Sequence, residues 1–401
     1  MKKKKTFQVI FAFIATVICC QNLIAQDTRF QYPGVLKNSF YGVNIGYINY
    51  PFSAKQLEPG NTVSSVSVPN TAVRLTLYGK EINKYVSARI TYMRPVNWVL
   101  YKNVNGDNKE HSVWMNVAGL TITGRIPLHK KLFLSAEGGL AIVTRSGFGI
   151  NNTAVVKDAT YSSVMLGGAL QYYINNKWAL QLSTTWSPAH AEVKQPHTLF
   201  LAAGFNYYMR EIAPEIVERN RKIGHYFPKH SITAGYSSNV LGYGVNNFVS
   251  GKIPIFWGGD VHIKQGFSLN YQRNLFHAKK VFALDVGATM AIWKSRDNKE
   301  NFITAAVYPV LSFYALRLKW ADIFLEYSVA GPAYISQTVI DGKQTGKNFT
   351  FQDFMGVGMV TGKKRNLVAG LRIAHYSNGN IYTENAGLKI PLTLNLGYVL
   401  Q

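Results

Sequence analysis

The chain has 401 residues, 47% hydrophobic and 13% aromatic, with a formal net charge of +23 and two cysteines. Past the N-terminus no apolar run reaches the roughly 18 residues a transmembrane helix needs, and so few cysteines exclude a disulfide framework or a thiolate metal site. A chain rich in aromatics and in glycine (34 residues), without a helical span, points to strands as the membrane-crossing elements.

Residues 1–25 read as a secretory signal peptide. Lys2 to Lys5 form its basic start, Phe7 to Ile18 its apolar core, and Ala25 a small residue at the cleavage point. The apolar core is about a dozen residues, too short for a bilayer anchor. Cys19 and Cys20 follow Thr16-Val17-Ile18, which lack the small residues expected before a lipid-modified cysteine. Export removes nucleic acid from the partners a basic chain would favour. A phosphorylated lipid remains, although Lys and Arg also serve as boundary anchors with their stems along apolar surface.

From residue 26 the hydrophobic period is two. Trp178, Leu180, Leu182 and Trp186 share one face, while Lys177, Ala179, Gln181, Ser183 and Thr185 share the other. The stretch from Lys131 repeats this, with Leu132, Leu134, Ala136, Leu140 and Ile142 against Lys131, Ser135, Glu137 and Arg145. In a membrane barrel such an apolar face meets lipid and the polar face lines the lumen, with aromatics at both boundaries.

Strands are expected near 37–50, 71–80, 84–94, 111–126, 131–144, 160–174, 177–187 and 197–208. A second set is expected near 231–239, 258–275, 280–293, 302–316, 321–335, 348–361, 365–377 and 388–400. In each set tight turns alternate with longer polar loops, which places the first strand's start at the periplasmic side. The charged stretch REIAPEIVERNRKIGHYFPKH, 210–230, separates the sets where one sixteen-stranded porin would carry a tight turn. The reading is therefore an all-β protein with two eight-stranded transmembrane antiparallel barrels in tandem, 26–209 and 230–401, joined by a periplasmic linker, 210–229. Eight strands leave a lumen only wide enough for side chains.

One stretch breaks the pattern. On strand 365–377, Leu367, Ala369, Leu371 and Ile373 mark the lipid-facing side, and His375 and Ser377 continue that face. Asp353 lies among Phe349, Phe351, Met355, Val357 and Met359, also facing lipid, and antiparallel pairing brings it within one or two positions of His375. A carboxylate facing hydrocarbon is costly. An acid, a histidine and a serine converging there fit an orienting acid, a base and a nucleophile. Glu326 and Arg372 point inward and are expected to pair as a lumen plug. Gly356-Val357-Gly358 lies within a strand and is no phosphate loop. The nine histidines show no ligand spacing, so neither metal nor cofactor is expected.

The run VAGLRIAHYSNGN…ENAGLK, supported by FTFQDFMGVGM and IFLEYSVAG, resembles the PagL-type lipid A 3-O-deacylases over about residues 230–401. The resemblance implies an outer-membrane esterase acting on lipid A, the lipid part of lipopolysaccharide. It implies His375 as base, Ser377 as nucleophile, Asn378 as an oxyanion donor, and Asn385 with Gly387 as the Asn-x-Gly element. The family's acid position is Lys389 here, and alternation with Ile390, Leu392, Leu394 and Leu396 points it inward. Glu384 and Asp353 are the available substitutes, with Glu384 preferred because its loop lies nearest the expected acid. The first barrel resembles small OmpA-like or OmpW-like barrels, with no motif of its own. The alternative function is a non-catalytic barrel for adhesion, anchoring or envelope stability.

Overall fold

The computed structural model describes residues 29–400 apart from 152, 223, 253–258, 279, 380 and 383. The expected signal peptide lies outside the described residues.

The first ring consists of β1 (Ser39–Asn49), β2 (Thr71–Glu81), β3 (Val86–Pro95), β4 (Asp107–His129), β5 (Leu132–Ser146), β6 (Ala159–Tyr173), β7 (Trp178–Ser187) and β8 (Thr198–Tyr208). Each pairs antiparallel with the next, and β8 returns to β1 with Phe40 opposite Tyr208 and Asn49 opposite Leu199. The second ring is β9 (His230–Ser238), β10 (Val261–Ala278), β11 (Phe282–Ser295), β12 (Asn301–Arg317), β13 (Ala321–Ile335), β14 (Phe349–Thr361), β15 (Leu367–Ser377) and β16 (Leu388–Leu400). It closes through β9 and β16, with His230 opposite Leu400. The expected strands all form, and the sequence divides into two barrels.

Alternation sorts the side chains as expected. Leu134, Leu140, Leu180, Leu182, Leu325 and Leu396 stay exposed on the outside, forming the lipid-facing surface. Polar groups fill the lumens. In the first, Glu137 accepts from Arg74 at 2.6 Å, Arg89 at 2.7 Å and Thr121 at 2.6 Å, all buried. In the second, Arg372 reaches Glu326 through Nε at 2.9 Å and Nη2 at 3.0 Å, and lies 3.9 Å from the centroid of the Phe354 ring. Gly356 makes room for this pair, because a Cβ there would lie 3.0 Å from Glu326 Oε1 and 2.5 Å from the Leu371 carbonyl.

Between the rings runs a short helix, α1 (Pro214–Lys222). Beyond it the chain covers the tight-turn end of the second barrel. Phe227 stacks on His277 at 4.3 Å and meets Tyr314 edge-on at 5.1 Å, and Arg317 Nη1 donates to the Tyr226 carbonyl at 2.9 Å. At the loop end Trp293, Phe302, Tyr308, Phe354 and Tyr376 form a second packed layer. The second barrel is thus filled at both ends.

The second barrel's wall is irregular next to β9, which has only nine residues. Past Ser238 the chain leaves the wall, and β10 meets β16 directly in a short parallel pairing, Val261 opposite Leu388 and His262 opposite Lys389. The departing segment forms a helix, α2 (Gly244–Lys252), against the outside of the barrel.

The Glu326–Arg372 pair sets a test of the lumen. Glu326→Ala strands a buried guanidinium and is expected to cost about 3–5 kcal/mol, whereas Glu326→Leu with Arg372→Met restores most of that. Urea unfolding in lipid vesicles measures both. Equal losses in the two proteins would show that the pair does not hold the lumen as described.

Candidate active site

The ladder between β14 and β15 places Asp353 directly opposite His375, and Phe351 opposite Ser377. His375 Nδ1 lies 3.8 Å from Asp353 Oδ2. That is an ion-pair distance, longer than a hydrogen bond. His375 is only 2% exposed although it sits on the outer face. Ser377, two residues on, shares that face and caps the strand. Its Oγ receives a hydrogen bond from Asn385 Nδ2 at 2.9 Å and from the Gly379 N–H at 3.2 Å, and lies 3.2 Å from Asn385 Oδ1. Gly379 has φ +65°, a left-handed turn that suits glycine and aims its N–H back at the serine.

Asn385 is therefore the hub of the serine end. Its Oδ1 also accepts from the Asn378 N–H at 2.9 Å, which fixes the turn after β15. Asn378 has a different place from the one expected. Its side chain is fully buried, and Nδ2 donates to the Thr345 carbonyl at 3.2 Å and the Glu384 carbonyl at 2.6 Å. Both amide hydrogens are thereby used to clasp two loops, and Ala386 N–H adds a bond to the Gln344 carbonyl at 2.9 Å. Gly346, at φ +98°, lets these loops touch: a Cβ there would fall 2.6 Å from Asn378 Nδ2. Gly387 offers its carbonyl to Val261 N–H at 3.1 Å and so anchors the start of β16 to β10.

The carboxylate next to His375 is not the one preferred from the sequence. The Glu384 carboxylate is exposed and forms no ion pair with His375, and the residue joins the site through its backbone carbonyl. Asp353 is the carboxylate beside the histidine.

Lys389 also departs from the inward position expected for it. Between β15 and β16 the register runs from Arg372–Thr393 to Ala374–Ile390, so β16 carries one extra residue, a β-bulge. Beyond the bulge the alternation inverts: Leu388 and Ile390 join the lumen cluster, and Lys389 comes outward opposite His375. Its Nζ donates to Asn247 Oδ1 on α2 at 3.1 Å. A signal for this was present. Pro391 stands in mid-strand, and a residue without an N–H sits in a sheet chiefly at an edge or a bulge.

The bulge frees backbone groups on a surface facing hydrocarbon, where unpaired polar groups are costly. The α2 segment supplies partners. Asn246 Nδ2 donates to the Ile390 carbonyl at 2.9 Å, and Leu392 N–H donates to the Gly242 carbonyl at 3.2 Å. Helix, bulge and the Asp353, His375 and Lys389 side chains thus form one outward-facing patch.

The family model for lipid A 3-O-deacylase (PagL) matches residues 265–399. Similar solved structures include the outer membrane enzyme PagL, 17% identical with a TM-score of 0.29, covering 42% of this chain and 97% of that one. The N-terminal β-barrel domain of Pseudomonas aeruginosa OprF is 14% identical, TM-score 0.29, covering 43% and 98%. Neisserial surface protein A is 14% identical, TM-score 0.29, covering 42% and 96%. None of the curated proteins matches the chain. The family match falls within β10–β16 and contains Asp353, His375, Ser377 and Asn385. Two closed barrels with apolar exteriors, the second matching this family, make the chain an integral outer-membrane protein.

Proposed function

We propose that the second barrel is a serine esterase that removes an ester-linked acyl chain from lipid A in the outer leaflet. The tight turns then face the periplasm, and the long loops with Ser377 face outward. One observation carries the reading: Asp353 and His375 are paired on the outer wall, with Ser377 next on the same face. Ionisable groups facing hydrocarbon have a high energetic cost, and function is the usual reason for keeping them.

In the proposed reaction Ser377 Oγ attacks the ester carbonyl and His375 takes its proton. Collapse of the tetrahedral intermediate expels the lipid alkoxide, which receives that proton from His375. Water then attacks the acyl-serine, passing a proton to His375, and a fatty acid leaves as Ser377 is restored. Asp353 holds the imidazolium by charge. Asn385 Nδ2, already aimed at Ser377 Oγ, supplies the side-chain oxyanion donor instead of Asn378, whose amide is committed to the loop clasp.

The rival reading, a non-catalytic barrel for adhesion or envelope stability, draws on Lys389. It stands opposite His375, at the position where the resemblance implies an acid.

Ser377→Ala and His375→Ala should each lower lipid A deacylation by roughly four orders of magnitude or more. The barrel should still form, since neither side chain enters a lumen network. Mass spectrometry of lipid A incubated with the purified proteins reads the outcome, and deacylation undiminished by Ser377→Ala would leave the rival standing.

The acids separate as well. Asp353→Asn is expected to reduce turnover about a hundredfold or more, while Glu384→Gln stays near the parent. The reverse ranking in the same assay would assign the orienting role to Glu384.

A further inference from the structure

Directly membrane-ward of the Asp353–His375 pair, the outer wall carries a row of apolar side chains. Tyr327 on β13 pairs with Met355 on β14, and Met355 pairs with Ile373 on β15. Leu392, at the bulge of β16, completes the row. An outward residue at this level should be exposed to lipid. Leu371, one step further along the same face, is 41% exposed, yet Ile373 is 2% exposed. The cover is α2, whose Val249 packs on Ile373 with Tyr327, Met355 and Leu392 around them.

The helix has two distinct faces. Asn246 and Val249, three apart, face the wall and are buried. Val245 and Phe248, also three apart, face away and are 49% and 62% exposed. An apolar outer face on a helix held against a lipid-facing wall belongs in the acyl region of the membrane. Polar contacts hold it at its N-terminal half, through Gly242, Asn246 and Asn247. At Val249 apolar packing seats the helix on the wall.

We infer that α2 roofs an acyl-chain-binding cleft whose floor is the Tyr327–Met355–Ile373–Leu392 row. This rests on the esterase reading. With its ester carbonyl at Ser377, a saturated chain running into the membrane passes His375 and reaches Ile373, where Val249 now sits. The chain takes that place by lifting Val249 while the polar N-terminal anchors hold. Dispersion contacts with the floor and with the underside of α2 then replace those of Val249. The cleft thereby selects lipid esters with long chains, because binding along a remote part of the substrate supports turnover at the reacting end.

The experiment ties the roof down. The two natural cysteines, Cys19 and Cys20, lie at the N-terminus outside the described residues, and Cys19→Ser/Cys20→Ser removes them if that segment is retained. A Val249→Cys/Ile373→Cys protein is then oxidised to a disulfide and compared with itself after reduction, in the same vesicles. Oxidation should depress hydrolysis of a long-chain lipid ester about tenfold or more relative to an acetyl ester, with recovery on reduction. An equal ratio in both states overturns the cleft. Binding is read separately in a Ser377→Ala background, using lipid A with a photoactivatable diazirine in its acyl chain. Label on peptides containing Met355 or position 373 in the reduced protein, lost on oxidation, supports the cleft even if no ester is turned over. Label absent from both peptides, or unchanged by oxidation, rejects it. Absence of all ester hydrolysis in the parent protein rejects the esterase reading instead.

Discussion

In a hydrocarbon surrounding, every backbone N–H and C=O needs a partner within the protein. A sheet meets this by closing on itself, and this chain does so twice, through β1 with β8 and β9 with β16. Closure fixes two-residue alternation around each ring. That alternation in turn places Arg74, Arg89 and Glu137 in one lumen, Glu326 and Arg372 in the other, and Leu134, Leu180, Leu325 and Leu396 outside. It is also why Asp353 and His375 attract notice, since they occupy positions that alternation gives to lipid.

One break in the ladder lies next to those residues. The extra residue in β16 inverts its alternation, brings Lys389 outward and leaves backbone groups at Ile390 and Leu392 for another element to satisfy. The Gly242 carbonyl and Asn246 amide satisfy them, so α2 is held on the outer wall by the same defect that reshapes the site. A bulge commonly re-aims a side chain or ends a run of pairing. Here both consequences occur together, and the serine end is built separately from turn geometry at Asn378, Gly379 and Asn385.

Most of the fold was legible because strand patterns repeat and errors of one or two residues at an end do not alter which face a side chain takes. The same rule made Asp353 and His375 legible as neighbours on the outer wall. It failed at Lys389, because one inserted residue reverses every assignment beyond it and Pro391 was the sole warning. It also failed at α2. Val245, Phe248 and Val249 have helical spacing, but they sit in a stretch read as a loop, and only tertiary contact with Ile373 gives that spacing meaning. The preference for Glu384 over Asp353 came from distance along the chain, and cross-strand pairing sets distance in space. Asn378 was assigned by resemblance, whereas its burial depends on the loop around Thr345, far away in sequence.

The proposed site requires a nucleophilic serine on the outer wall, beside a histidine and an aspartate. A fluorophosphonate carrying an alkyl tail, which forms a stable bond only to an activated serine hydroxyl, would trap it. Peptide mass spectrometry of the labelled protein in vesicles should find the adduct on Ser377, with labelling lost when His375 is replaced by Ala. Labelling of another serine, or Ser377 labelling that is indifferent to loss of His375, would show that Ser377 is not an activated nucleophile paired with His375.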